Sequence, residues 1–300
     1  MATGAFLYFG GKQLLASKIL PHFPAKACCY VEAFFGGGGM FFGVPKGLYD
    51  IEVVNDLNRA VVTFFKVLRD REAELVRACQ LTPYAFDEHT TCADASQDPP
   101  DELETARRLW VRQTQSYCGI QQNASWHRGT DYRSFAQNTD NALKDLNALA
   151  DRLRRVEINN TDALELIKRY AKPGVFMYLD PPYLQDTRGD NGSYQHEMTV
   201  EDHRKLAQVV NEARAAGAMI AVSGYAHPLY DELYAGWRTV EIPAWTAIAA
   251  SADNTRTEML WLSYPAELEI KAGKAPLKMK ATNKQEAALS RALKKQGKAR

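Results

Sequence analysis

Seven short, largely apolar runs punctuate the chain: Cys28 to Glu32, Ile51 to Val54, Val156 to Ile158, Val175 to Leu179, Met219 to Ser223, Thr239 to Ile242 and Met259 to Leu262. Runs of this length, bounded by Gly, Pro or polar clusters, predict buried strands. Between them lie stretches with helical patterning. The clearest opens with Thr199 as N-cap and Asp202 three residues on, carries Leu206, Val209, Val210 and Ala213 on one face, and ends at Gly217; it predicts a helix. Such alternation predicts an α/β fold with a doubly wound, mostly parallel sheet.

The pattern breaks between about residues 71 and 150. From Ala78 to Ala106 there is no Lys or Arg, while Asp87, Glu88, Asp94, Asp98, Asp101, Glu102 and Glu104 gather around Pro99-Pro100. Arg107, Arg108 and Arg112 follow, then a polar run with Gln113, Gln115, Gln121, Gln122 and Asn123, then Arg128. We therefore divide the chain into a cofactor-binding catalytic domain (1–70 and 151–265), a mainly helical target-recognition insert (71–150) and a basic tail (266–300). A length of 300 residues, 46% hydrophobic and 24% charged, accommodates one large domain with an insert.

Charge changes the picture at one end. Residues 271–300 hold ten basic residues and one acidic, a net of +9; the whole chain is +1, so the body is −8. A basic arm on an acidic body points to a polyanion. Its composition, with Leu289 and Leu293 as the hint of a helical stripe, predicts a disordered segment. No apolar stretch reaches the roughly 18 residues of a membrane span. No signal-peptide pattern opens the chain, so a cytoplasmic location is expected. Five cysteines, at 28, 29, 79, 92 and 118, form no C-x-x-C pair; reduced thiols are expected, with neither a disulfide framework nor a metal site.

Candidate chemistry centres on Asp180-Pro181-Pro182-Tyr183, which follows the fourth run. The prolines cannot continue a strand ladder, so the chain must turn at the strand's carboxyl end, where ligands bind in open α/β sheets. Asp180 and the Pro181 carbonyl can each accept one N–H of an exocyclic amine, and Tyr183 can stack on the ring that bears it. A plain strand-ending turn accounts for the tetrapeptide equally well when it is taken alone. Gly36, Gly37 and Gly38, followed by Gly39, come after the first run, with Phe34, expected at the same bound cofactor, and Phe35 between. Glycines there let the backbone approach a ligand. The spacing G-x-G-x-x-G fails at Phe41 or Phe42, which disfavours a nicotinamide or flavin cofactor. About 20 residues on, Asp56 is placed for ribose hydroxyls. Tyr8-Phe9-Gly10-Gly11-Lys12 either sets an ammonium beside a cofactor carboxylate or forms a plain N-terminal turn. Asp162 can reach an adenine amine, cap the helix over Ala163 to Ile167, or do both.

In this order the motifs resemble those of S-adenosylmethionine-dependent adenine-specific (N6) DNA methyltransferases, the phage-type Dam-like or D12 class. The likeness covers roughly residues 6–265 and extends to Asn160-Thr161-Asp162-Ala163-Leu164, Tyr194 to Thr199, Ser223-Gly224-Tyr225 and Arg256 to Trp261. It implies a class I, Rossmann-like methyltransferase fold, double-stranded DNA as partner and S-adenosylmethionine as cofactor. It also implies that Tyr8, Lys12, Asp56 and Asp180 contact that cofactor, with Asp180 also beside the target amine. Such an enzyme would belong to a restriction-modification system or act as an orphan phage methylase. The chain departs from many members at Tyr117-Cys118-Gly119, where they have Phe-Asn-Gly, and at Ala163, where they have Phe. The chemistry implied is direct methyl transfer to an adenine flipped out of the duplex. The alternatives are N4-cytosine methylation, methylation of a protein amide, or a catalytically silent DNA-binding relative. No cysteine lies in a Pro-Cys motif, against C5 methylation. For the insert we expect phosphate contacts from Arg107, Arg108, Arg112 and Arg128 and base contacts from Gln113, Gln115, Gln121, Gln122 and Asn123.

Overall fold

The computed structural model of the chain describes residues 4–6, 8, 11–116, 126–127, 135–185, 196–245 and 255–270. All seven apolar runs are strands: β1 (Cys29–Glu32), β2 (Ile51–Asn55), β3 (Val156–Asn159), β4 (Val175–Leu179), β5 (Met219–Tyr225), β6 (Arg238–Trp245) and β7 (Thr255–Leu262). They form one sheet in the order β3-β2-β1-β4-β5-β7-β6. The first five are parallel, and β7 runs antiparallel between β5 and β6. β6 and β7 are longer than the apolar runs because their pairing continues through Pro243 to Trp245 on β6 and Thr255 to Glu258 on β7.

The central strands sort their side chains with the two-residue period of a pleated sheet. Phe176 and Tyr178 of β4 join Tyr30, Phe64 and Phe65 in one apolar layer. Val175, Met177 and Leu179 face the other way, onto Leu166, Ile167, Leu206 and Val210. That second layer is covered by the helices Ala163–Tyr170 and Val200–Ala215. The latter begins as expected: Thr199 and Asp202 exchange hydrogen bonds in a capping box. Gly217, at φ +96°, ends it.

Between β2 and β3 the described helices are Arg59–Asp70, Glu72–Gln80, Phe86–Cys92, Glu102–Gln115 and Phe135–Leu153. The insert is therefore helical where described. Its Leu75, Trp110 and Leu146 are buried in the same cluster as Phe64 and Tyr30, so its apolar side is continuous with one layer of the sheet.

This packing corrects several expectations for the insert. Arg107 holds Glu88 and Glu104 at 2.6 Å each. Arg108 pairs with Glu104 at 2.9 Å. Arg112, 6% exposed, binds both oxygens of Asp98 (2.9 and 2.7 Å) and the Cys92 carbonyl. The acid-rich stretch that lacks bases finds them here, and these guanidinium groups close the insert on itself instead of facing phosphates. Gln113 and Gln115 are buried, and Gln115 donates to the Pro83 carbonyl at 2.9 Å; neither is placed to read a base. Gln121, Gln122, Asn123, Arg128, Tyr117 to Gly119 and the tail beyond residue 270 lie outside the described residues. Among the described residues no helix is long and apolar enough to cross a membrane, and Cys28, Cys29, Cys79 and Cys92 are free thiols.

Candidate active site

β1 connects toward β2 and β3 on one side, while β4 and β5 lie on the other, so the strand order reverses between β1 and β4. Crevices at such reversals, beyond the strands' carboxyl ends, are where open α/β sheets take ligands. A cavity of about 370 Å³ opens there, lined by residues that follow β1, β2, β3 and β4, by Tyr8, Gly11 and Lys12 from the N-terminal segment, and by His196, Glu197 and Met198. Of the residues expected at a cofactor, it brings together Tyr8, Lys12, Phe34, Gly36, Gly37, Asp56, Asp162 and Asp180. Gly38 is not among them.

One end of the cavity is built on backbone bonds. Asp56 accepts from the Gly36 N–H at 2.7 Å and the Asn58 N–H at 2.8 Å, which ties the turn after β1 to the turn after β2. Burial raises its pKa against those two bonds. Asn55 donates to the Ala33 and Thr161 carbonyls (3.0 and 3.1 Å) and so links the ends of β1, β2 and β3. Asp162 caps the helix Ala163–Tyr170, accepting from Leu164 N–H at 2.7 Å, and also lines the cavity. Leu57 is 51% exposed there, an apolar wall with Ala163 and Leu164.

The glycine run serves packing as well as approach. A Cβ on Gly36 would stand 2.8 Å from the Tyr8 ring and one on Gly37 2.7 Å from the Tyr8 Cβ. Gly38, at φ +71°, has no room for a side chain, since a Cβ there would stand 2.5 Å from the Phe42 ring and 2.8 Å from the Phe35 ring. It is a packing residue of the turn, which corrects its assignment to the cofactor.

The other end is a charged cluster. Lys12, 5% exposed, places Nζ 2.7 Å from Asp180 Oδ1 and 3.6 Å from Glu258 Oε1. Its ammonium is thus engaged by protein carboxylates, not held out for a cofactor carboxylate. Asp180 and Pro182 line the cavity; Pro181 is buried. Tyr183 is only 4% exposed, which overturns its expected role as a free stacking face. Its ring lies under the Lys12 ammonium at 4.8 Å and against Tyr225 at 4.8 Å. Its hydroxyl is 2.9 Å from Asp180 Oδ1 and within hydrogen-bond distance of Glu258 Oε1. Ser223 donates to the same Glu258 oxygen.

Two of these acids were missed in the sequence. Glu32 ends β1, is buried, accepts from the Tyr30 hydroxyl at 2.6 Å and lines the cavity; burial pushes its carboxyl up to about 8. Glu258 sits within the apolar β7 and is likewise raised by burial. An acid at the edge of an apolar strand run is the readable signal for both, because such groups are almost never fully buried unless partnered.

Known proteins resemble this chain along most of its length. The family model described as D12 class N6 adenine-specific DNA methyltransferase matches residues 8–249. The chain is 25% identical over 270 residues to the type II methyltransferase M1.LlaDCHI of Lactococcus lactis subsp. cremoris, covering 85% of this chain and 93% of that one. It is 21% identical over 280 residues to the type II methyltransferase M.MjaIII of Methanocaldococcus jannaschii, covering 85% and 96%. Against the DNA N-6-adenine-methyltransferase of Escherichia phage P1 it is 22% identical over 260 residues, covering 83% of this chain and 33% of the phage protein.

Proposed function

Because the chain belongs to the D12 class of N6 adenine-specific DNA methyltransferases, we propose that the cavity between the ends of β1 and β4 is where its methyl donor and its target adenine meet. The reaction is transfer of a methyl group from S-adenosylmethionine to the N6 amine of adenine in DNA, and family membership does not favour N4-cytosine chemistry or a silent binding module. The observation that carries the site is the position of Asp180: at the carboxyl end of β4, in one cavity with the Asp56–Gly36 turn.

The residues present fit the cofactor. Leu57, Ala163 and Leu164 offer an apolar wall for a purine, with Asp162 at hand for its amine and Asp56 for ribose hydroxyls. Gly36 and Gly37 let a chain lie against the backbone, toward Asp180. When bound, S-adenosylmethionine supplies a methyl group carried on a positively charged sulfur. Asp180 sets negative charge at that end of the cavity, and the buried Glu32 carboxyl lines it.

Asp180 and the Pro181 carbonyl accept the two N–H bonds of the adenine amine. The lone pair is thereby withdrawn from conjugation with the ring and directed at the methyl carbon. Donors and acceptors aimed at a reacting centre are worth on the order of 10²–10³ in rate. An adenine inside a duplex cannot reach Asp180, so the base flips out. Residues 71–150 supply target recognition, and the enzyme works on double-stranded DNA in the cytoplasm. Mass analysis of nucleosides from DNA of a methylation-free host expressing the protein tests this reading. N6-methyldeoxyadenosine is expected; N4-methyldeoxycytidine instead, or no methylated base, would overturn it.

A further inference from the structure

Methylating an amine leaves a proton to be removed, and the charged cluster shows where it goes. As N6 bonds to the methyl carbon, the C–S electron pair leaves with sulfur, and the nitrogen is left positive with one proton too many. Asp180 is the carboxylate beside it. Behind Asp180, away from the cavity, stands Tyr183, and behind Tyr183 stands Glu258, 2% exposed. Two carboxylate oxygens thus converge on one phenolic oxygen. With both acids ionised, the single Tyr183 proton can satisfy one contact, and the other sets two oxygens against each other. A second proton completes the bridge.

We propose that Glu258 is the final acceptor of the proton lost by adenine N6, and that the Tyr183 hydroxyl passes it there from Asp180. This rests on the reading of Asp180 as the residue beside the target amine. The amine proton moves to Asp180. The Asp180 proton then moves to the Tyr183 oxygen as the Tyr183 proton moves to Glu258. Asp180 ends ionised, Tyr183 ends neutral and Glu258 ends as the carboxylic acid. Charge favours this outcome: one ammonium, Lys12, faces both Asp180 and Glu258, and protonating Glu258 leaves Lys12 and Asp180 as a balanced pair. The groups facing Glu258 are Lys12 from the N-terminal segment, Asp180 and Tyr183 after β4, Tyr178 on β4 and Ser223 on β5. Ser223 donates to Glu258, so one carboxyl oxygen keeps a partner through the transfer. Burial raises the Glu258 carboxyl above its ordinary range, and the Asp180 charge adds to it.

The test compares the full-length wild type with Glu258→Gln, Tyr183→Phe, the double variant and Glu258→Asp in single-turnover methylation across pH, with an indicator dye following proton release. Glu258→Gln and Tyr183→Phe should each slow methyl transfer at least about tenfold at neutral pH. Both losses should shrink as pH rises, because hydroxide and buffer then take the proton from Asp180. The double variant should be no slower than the slower single, and Glu258→Asp should recover part of the rate. Proton release should lag methyl transfer in the wild type and coincide with it in Glu258→Gln. In the free protein, the carbon-13 carboxyl signal of Glu258 should titrate above the ordinary glutamate range and move on Tyr183→Phe. A wild-type rate in Glu258→Gln at every pH, or losses that multiply in the double variant, would overturn the relay. Should Glu258→Gln not fold, a wild-type rate in Tyr183→Phe overturns it alone. A wild type that makes no N6-methyladenine would instead sink the functional reading, and the two failures are thereby separate.

Discussion

Among the described residues, Asp180 and Glu258 both face the Lys12 ammonium, and the buried Glu32 feels the charges of Arg152 and Lys12. Asp180 is the one that lines the cavity and directly pairs with Lys12. Asp180→Ala should lower single-turnover methylation by about 10²–10³, measured at saturating cofactor so that weaker binding is not mistaken for lost chemistry; near-normal turnover there would remove Asp180 from the reaction. Glu32 makes a different prediction, about stability. Its carboxyl lies at about 8 in the folded protein against an ordinary 4.5, so between those values the folded chain holds a proton that the unfolded chain has lost. Its contribution is complete below about pH 4.5 and fades as pH rises toward 8. Glu32→Gln should therefore flatten the fall of stability with pH by up to about 1.4 kcal/mol per unit, read as urea midpoints from pH 5 to 9. A slope unchanged by the substitution would show that Glu32 is ionised throughout. At this scale the sequence was legible where an acid follows a strand, as at Asp56, Asp162 and Asp180. It was opaque where the acid lies inside one. Glu32 closes the first apolar run and Glu258 directly precedes the last, and their meaning depends on partners 2 residues away (Tyr30) and 75 residues away (Tyr183).

Every strand of the sheet could be read from its apolar run: the central β1 and β4 are buried throughout and leave a continuous signal, while the edge strands β3 and β6 are only partly buried. The insert was opaque for a physical reason. Its helix Glu102–Gln115 buries Arg112, Gln113 and Gln115 as well as Trp110 and Val111, so polarity there does not mark a solvent or DNA face. Burial of Arg112 depends on Asp98, brought in from the acid-rich stretch, and that of Gln115 on the Pro83 carbonyl. The two-oxygen grip of Arg112 on Asp98, with both side chains nearly buried, should be a strong staple. Asp98→Ala leaves a buried guanidinium short of its partner and should cost about 3 kcal/mol. Glu74→Ala, which breaks an exposed pair with Arg71, should cost far less, because solvent screens that pair. Chemical denaturation of the two variants gives the comparison, and equal losses would show that the Asp98 pair is not the staple described.

For the molecule as a whole, the uneven charge along the chain makes a claim of its own. A −8 body with a +9 segment at 271–300 should bind non-specific duplex mostly through that segment. Each phosphate it neutralises adds about 0.9 to the slope of log affinity against log salt. Removing 271–300 should weaken DNA binding at low salt and flatten that slope, while site preference and cofactor affinity stay as they were. The same slope in the shortened protein would assign the electrostatic contact to the body instead.

The order of strands at the far edge also bears on how the protein is made. β6 leaves the ribosome before β7, yet in the sheet it lies outside β7 and pairs with it. It has no place to dock until its younger neighbour exists. The β6–β7 hairpin must then form and close onto β5 as one late event, and Glu258 arrives with it. Up to that moment a nascent chain can already shape the crevice proposed for the methyl donor from β1 to β4, while Lys12, Asp180 and Tyr183 still lack Glu258. An unfinished polypeptide would thus be able to hold a methyl donor before it is able to spend it.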